Sequence, residues 1–270
     1  MSPRAVGTPH LCTRTRTAFF LGVLDLVRLA NQVLDEALNV HGAKLIVTYH
    51  PRPFGKFNKL TRDDTTQRIV LRCARAGVAV YSPHTACDNC AIGVNDWLAE
   101  AFATDPSLVT PIEACKLPDF PGAGSGRIIK LAQPLSLQDA VDKTKVHLGL
   151  QHVRLSICEA LLPGGASAQQ LAEAMQVKDA VRCVGVQAGS GGGVLRGCGA
   201  DLWLTGECGH HDVLAAAAEG VSVILTDHTN TERGFLQRMS SQLREKLNDS
   251  GTVDVEIVIS SRDADPLQVV

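Results

Sequence analysis

The sequence predicts an α/β protein whose two similar halves share an architecture with mostly parallel sheets, built as one large domain or two intimate lobes. Three observations carry this. Short apolar runs alternate along the chain with segments of helical period. Most of those runs are nearly continuous, as in strands buried on both faces of a parallel sheet. At 270 residues, 45% of them hydrophobic, the chain is long enough to bury a sizeable core.

The elements follow in order. Residues 1–16 carry Arg4, Arg14 and Arg16 and no acid, a composition that fits a disordered tail better than a mitochondrial presequence. The spacing of Leu21, Leu24, Val27 and Leu34 predicts one long helix over Thr17–Val40, ended near Gly42. "AKLIVTYHP" is a strand that stops at a proline. A helix follows, opened by Thr61 and Asp64 as a variant capping box and closed by Gly77. "VAVYSPHT" is the next strand and "NDWLAEAFA" the next helix. From 105 to 125 the chain turns to Pro, Gly and Asp, a loop joining halves of about 17–104 and 126–270.

The second half repeats the rhythm. Strand "GRIIKLA" leads to a helix capped by Ser136 and Asp139. Then come strand "VRLSIC", helix "SAQQLAEAMQ", strand "VRCVGVQA", a glycine-rich turn and strand "ADLWLTGE". Helix "HDVLAAAAEG", strand "VSVILTD" and helix "ERGFLQRMSSQLREKLN" complete the alternation. The last strand, "VDVEIVIS", alternates in polarity and belongs at a sheet edge.

Composition excludes several classes of partner. A formal net charge of −2 leaves no electrostatic footprint for nucleic acid. No run approaches the roughly 18 apolar residues that span a membrane. Nine scattered cysteines, an odd number, fit reduced thiols in the cytoplasm. Small molecules, metals and other protein chains remain.

Ligands of open α/β sheets bind beyond the carboxyl ends of the strands. There the sequence delivers Tyr49 and His50, then His84 and Asp88, then Glu207, His210 and His211, then Asp227, His228 and Glu232. Five of the nine histidines fall at these four strand ends, more than random placement gives. Imidazole with carboxylate binds divalent Zn, Mn, Fe or Co. His228 and Glu232, four residues apart, equally suit a helix-capping cluster when taken alone; convergence with His50 and Asp88 favours metal. "CDNC", Cys87 to Cys90, lacks the second pair a zinc ribbon needs. The turn "AGSGGG", 188–193, lacks dinucleotide-binding spacing and suits either an anion or a close backbone approach. His147 and His152 read as structural.

These residues carry a resemblance. "TYHPRPF", "YSPHTACD", "GVNDWLA", "QAGSGGGVLRGCGADLWLTGECGHHDVL", "VILTDHTNTERGFL" and the terminal "DPLQVV" resemble the Nif-three-like family, whose bacterial members are called GTP cyclohydrolase 1 type 2 homologues. The resemblance implies a toroidal homohexamer with dinuclear metal sites facing its interior, and places the ligands of one or two ions on His50, Asp88, His228 and Glu232. Three departures stand out. Tyr49, whose neutral phenol is a poor ligand, replaces the first of two consecutive histidines of many bacterial members. The inserted middle domain of larger members is absent, as is the usual opening motif.

The expected activity is metal-dependent hydrolysis of an unidentified small molecule, with His84, Glu207 or His211 moving protons or supporting the ligands. The competing reading is a non-catalytic scaffold or regulator that binds metal and protein partners.

Overall fold

The computed structural model describes residues 17–22, 27–51, 54–162, 164, 166–249, 255–265, 267 and 269. The expected tail, 1–16, lies outside them. The first element among the described residues is a strand, β1 (Thr17–Gly22), followed by helix α1 (Val27–Asp35) and a single π-helical turn, Glu36–Val40. This corrects the single helix expected over Thr17–Val40. Thr17, Phe19 and Phe20 suit a strand, and pairing with Leu45–Thr48 and Val255–Ile259 on either side makes the stretch one, which the leucine spacing does not register.

Strand β2 (Leu45–Thr48) and helix α2 (Thr65–Ala76) come next. Asp64 is the cap of α2, its carboxylate accepting from Gln67 N at 2.9 Å, and Gly77 closes the helix at φ 65°. Thr61 bonds instead to the Gln67 side chain at 2.7 Å, so the helix starts one turn later than the predicted box. After β3 (Ala79–Tyr81) come two short helices, α3 (Thr85–Asn89) and α4 (Val94–Ala99). The Pro/Gly-rich segment holds three two-residue strands, β4 (Val109–Thr110), β5 (Glu113–Ala114) and β6 (Gly124–Ser125).

Beyond it lie β7 (Arg127–Leu135), α5 (Leu137–Leu148), β8 (Arg154–Ser156), α6 (Ala168–Met175) and β9 (Val181–Ser190). The remainder is α7 (Gly192–Leu195), β10 (Leu202–Glu207), α8 (His210–Ala218), β11 (Ser222–Leu225), α9 (Phe235–Asp249) and β12 (Val255–Ile259). The Ser136/Asp139 capping box forms as expected, with Asp139 N donating to Ser136 Oγ at 3.1 Å.

Two sheets organise the molecule. The first runs β12-β1-β2-β3, all parallel, with the last strand of the chain at its edge. The second runs β4-β7-β9-β10-β11-β8; its centre, β9-β10-β11, is parallel and its flanks are antiparallel. The strands read as continuous apolar runs are the buried ones: Val184, Val186, Leu202, Leu204 and Ile224 have no exposed surface. A core cluster joins them to Tyr49, Cys87, Val94, Trp97, Leu98, Phe235 and Leu236. Residues from the end of β2, α3 and α4 thus pack on the second sheet, bringing the strand ends of both sheets to one place.

One buried charge stabilises this junction. Arg127 at the start of β7 is 1% exposed. Its guanidinium donates to both carboxylate oxygens of Asp96 at 2.6 and 2.8 Å, and to the carbonyls of Gly124, Gly126 and Cys90. A guanidinium so placed is tolerable only because its donors are met.

Candidate metal centre

Three strand ends supply the side chains of the site. His50 leaves β2, its carbonyl accepting from the hydroxyls of Thr48 and Ser82 at 3.2 and 3.3 Å. Glu207 ends β10. Beyond β11 a 3-10 turn, His228–Thr231, carries His228, and Glu232 follows directly. Thr231 fixes that turn: its hydroxyl donates to His228 O at 2.7 Å and accepts from Gly189 N at 2.8 Å.

The result is a cluster in which one donor atom each of His50, His228 and Glu232 lies within 4.8 Å of the others. His50 Nε2 is 3.6 Å and His228 Nε2 3.3 Å from the same Glu232 Oε1. His228 Nδ1 donates to Glu207 Oε1 at 2.8 Å. With its proton engaged there, the ring turns a lone pair on Nε2 toward the glutamate. A lone pair on His228 Nε2 facing a carboxylate oxygen repels it unless the two share a cation, so this donor set fits a divalent ion. His50 and Glu232 are 8% and 2% exposed, whereas a third of the His228 side chain reaches solvent. One flank of the cluster is therefore open.

The backbone is cut to fit. Gly189 at the end of β9 has φ +66°, and a Cβ there would sit 2.9 Å from His228 Nε2 and 3.0 Å from Glu232 Oε1. A Cβ on Gly206 would lie 2.7 Å from His228 Cα. Of the two readings of the glycine-rich turn, close approach is the one these distances describe.

Asp88, on α3, stands beside the cluster without joining those three atoms. Its Oδ1 accepts the hydroxyl of Tyr49. Burial pushes the Asp88 carboxyl above the usual carboxylate range, against the pull of Tyr49 and of His84, His50 and His228. Burial, and then the charges of Asp88 and Glu232, drive the Tyr49 phenol far above its ordinary value, so it stays a protonated donor. Burial also pushes the Cys87 thiol up to about 12, away from the thiolate a metal needs. Asn95, fully buried, ties α3 to β9: it donates to Asp88 O at 3.0 Å and accepts from Ala188 N at 2.8 Å.

Among the other predicted residues, His84 lies next to the cluster, its ring centroid 5.3 Å from that of His50 and 5.9 Å from that of Phe54. Its φ of +43° is rare outside glycine. Asp227, at φ +66°, accepts from Arg154 at 2.9 Å. His210 and His211 open α8 and contact each other at 5.6 Å. No hydrogen bond or ring contact among the described residues links either to the three-residue cluster. Cys87 is buried and Cys90 exposed. His147 packs on Trp97 with centroids 4.7 Å apart. Sequence reasoning missed Gly206 and Asn95 because their roles are backbone clearance and backbone capping, which carry no spacing signal.

Fold and site together define an α/β protein with a two-histidine, one-glutamate cluster able to hold a metal ion at its strand ends. The chain belongs to the family described as Duf34/NIF3 (NGG1p interacting factor 3), which its sequence matches over residues 22–266. It is 38% identical over 248 residues to Protein NIF3 homolog of Schizosaccharomyces pombe, covering 91% of this chain and 83% of that one. It is 30% identical over 326 residues to human NIF3-like protein 1, covering 90% and 81%. The crystal structure of a Bacillus cereus protein related to NIF3 superposes with a TM-score of 0.73 at 18% identity, covering 95% of this chain and 90% of that one, a likeness of fold. No helix among the described residues is long and apolar enough to cross a membrane.

Proposed function

We propose that this protein is a metal-dependent hydrolase of a small molecule, with His50, His228 and Glu232 as the metal-binding residues and Asp88 beside them. The observation that carries this is the convergence of two imidazole nitrogens and one carboxylate oxygen, from the ends of β2 and β11, within 4.8 Å. Zn, Mn, Fe or Co suits the donor set, with one or two ions per chain. A divalent ion held there supplies Lewis acidity and lowers the pKa of water to about 7.

The chain's own residues do the rest. Glu207 holds the His228 ring in one tautomer and, half-exposed, opens toward solvent. His84 is the imidazole beside the cluster, and we assign it proton transfer. His211, exposed at the start of α8, is a weaker candidate for the same role. Tyr49 orients Asp88. The open flank at His228 leaves room for substrate and favours catalysis over a closed, purely structural ion. A toroidal homohexamer acting in the cytoplasm completes this reading.

The test combines elemental analysis with turnover of phosphoesters and GTP, with and without added Mn or Zn. Purified protein should carry metal that His50→Ala and Glu232→Ala lose, and turnover should follow the metal. Metal retained in both variants overturns the site. Metal-loaded protein that turns over none of these substrates leaves the scaffold reading standing.

A further inference from the structure

The turn that carries His228 and Glu232 is held from three directions, and one comes from the far end of the chain. Thr231 ties it to Gly189, as described. Asn230 Nδ2 donates to Thr226 O at 2.7 Å, closing the turn on its own strand. The third hold is a relay between the turn and Asp263, Asp265 and Leu267. Thr229, 1% exposed, donates its hydroxyl to Asp265 Oδ2 at 2.6 Å across 36 residues of sequence. Asp265 Oδ1 accepts from Leu267 N at 2.9 Å, which fixes the carboxylate. Arg233 Nη2 donates to the same Thr229 hydroxyl at 2.9 Å, and Nη1 to Asn230 Oδ1 at 3.1 Å. Arg233 Nε faces Asp263, whose side chain is 4% exposed, at 3.6 Å.

The two anchor points matter. Thr229 follows His228, and Arg233 follows Glu232. Each ligand therefore has, as its next residue, one that the C-terminal segment grips. We infer that Asp265, with Asp263, is a positioning clamp for the metal centre: the C-terminal segment sets the spacing of His228 and Glu232 through Thr229 and Arg233. A carboxylate suits this better than an amide, because both of its oxygens accept, one from O–H and one from N–H. Groups that orient metal ligands typically change affinity ten- to hundredfold when lost.

This rests on the metal reading above, so the experiment keeps the two apart. Full-length protein and the variants Thr229→Val, Thr229→Ser, Asp265→Ala and Asp265→Asn are titrated with Co(II), following the visible absorption of the bound ion. Urea unfolding of each metal-free protein measures the structural cost. The imidazole NMR signals of His228 are recorded in the same metal-free state.

Thr229→Val is isosteric and removes only the relay. It should weaken Co(II) binding at least tenfold and move the His228 signals, whereas Thr229→Ser keeps the hydroxyl and should behave as wild type. Asp265→Ala should match Thr229→Val, and Asp265→Asn, with one acceptor oxygen left, should fall between. If Co(II) binds and neither affinity nor the His228 signals change in Thr229→Val and Asp265→Ala, the clamp is refuted. An affinity loss that Thr229→Ser shares equally with Thr229→Val also refutes it. If wild type binds no Co(II) but the His228 signals respond as described, the metal reading falls and the clamp stands.

Discussion

Replacing Gly189 with alanine tests how closely the backbone is fitted to the cluster. Two costs separate cleanly. The first is conformational: at φ +66° an L-residue is strained by about 1–2 kcal/mol. The second is local. The new methyl would stand 2.9 Å from His228 Nε2 and 3.0 Å from Glu232 Oε1. Ordinary contact begins at about 3.5 Å, so one donor atom or both must retreat by roughly 0.5 Å. Metal–ligand distances tolerate only about 0.2 Å.

Gly149 supplies the control, because its φ is +67° and a Cβ there meets nothing within 4 Å. Both Gly189→Ala and Gly149→Ala should lose about 1–2 kcal/mol in urea unfolding of metal-free protein. Gly189→Ala alone should lose metal affinity, by about tenfold or more, in competition titration with Zn or Co. If the two variants bind metal within twofold of each other, the fitted cradle is wrong.

Three further outcomes are expected. Asp96→Ala strips the buried Arg127 guanidinium of its bidentate partner and should cost about 3 kcal/mol in urea unfolding, the Asp96 side chain being 26% exposed; a loss under about 1 kcal/mol contradicts the role given to the pair. Burial lowers the pKa of His147, whose Nε2 finds no hydrogen-bond partner, so the fold holds this ring neutral. Below about pH 6.5 the unfolded chain takes up a proton that the folded chain resists; stability from this group is thus complete above that pH and drains away as pH falls. His147→Leu should flatten the stability profile on the acid side of about pH 6.5, and a variant whose profile parallels wild type there refutes the assignment. Glu207→Gln keeps the shape but removes the charge that holds His228 Nδ1, and should weaken metal binding by about tenfold in the same titration, while a wild-type affinity denies Glu207 its supporting role.

What the sequence disclosed was whatever depends on neighbours along the chain. The Ser136/Asp139 box, the Gly77 stop and the apolar runs that became β2, β9, β10 and β11 are local signals, and they appear where expected. His50 and His228 were legible because each lies within three residues of the end of such a run, and Glu232 because it stands four residues beyond His228. Errors arose where a partner remote in sequence decides. Thr17–Gly22 is a strand because β2 and β12 flank it, and leucine spacing carries no trace of them. The antiparallel flanks of the second sheet leave no period of their own. Asp88 lies beside the other three, its carboxylate accepting the Tyr49 hydroxyl. The sequence placed Tyr49 at the strand end but did not disclose what the phenol would touch.

The pairing of β1 with β12 has a consequence for biogenesis. While the chain is still attached to the ribosome, β4 and β7 to β11 can emerge and assemble before the final strand exists, leaving β1 with one side uncovered. Translation must pass Ile259, more than two hundred residues beyond β1, before the first sheet acquires its edge. Newly made protein would thus pass through a stage in which one lobe is mature and the other awaits its closing strand, when bare strand edges are most exposed to association with other nascent chains.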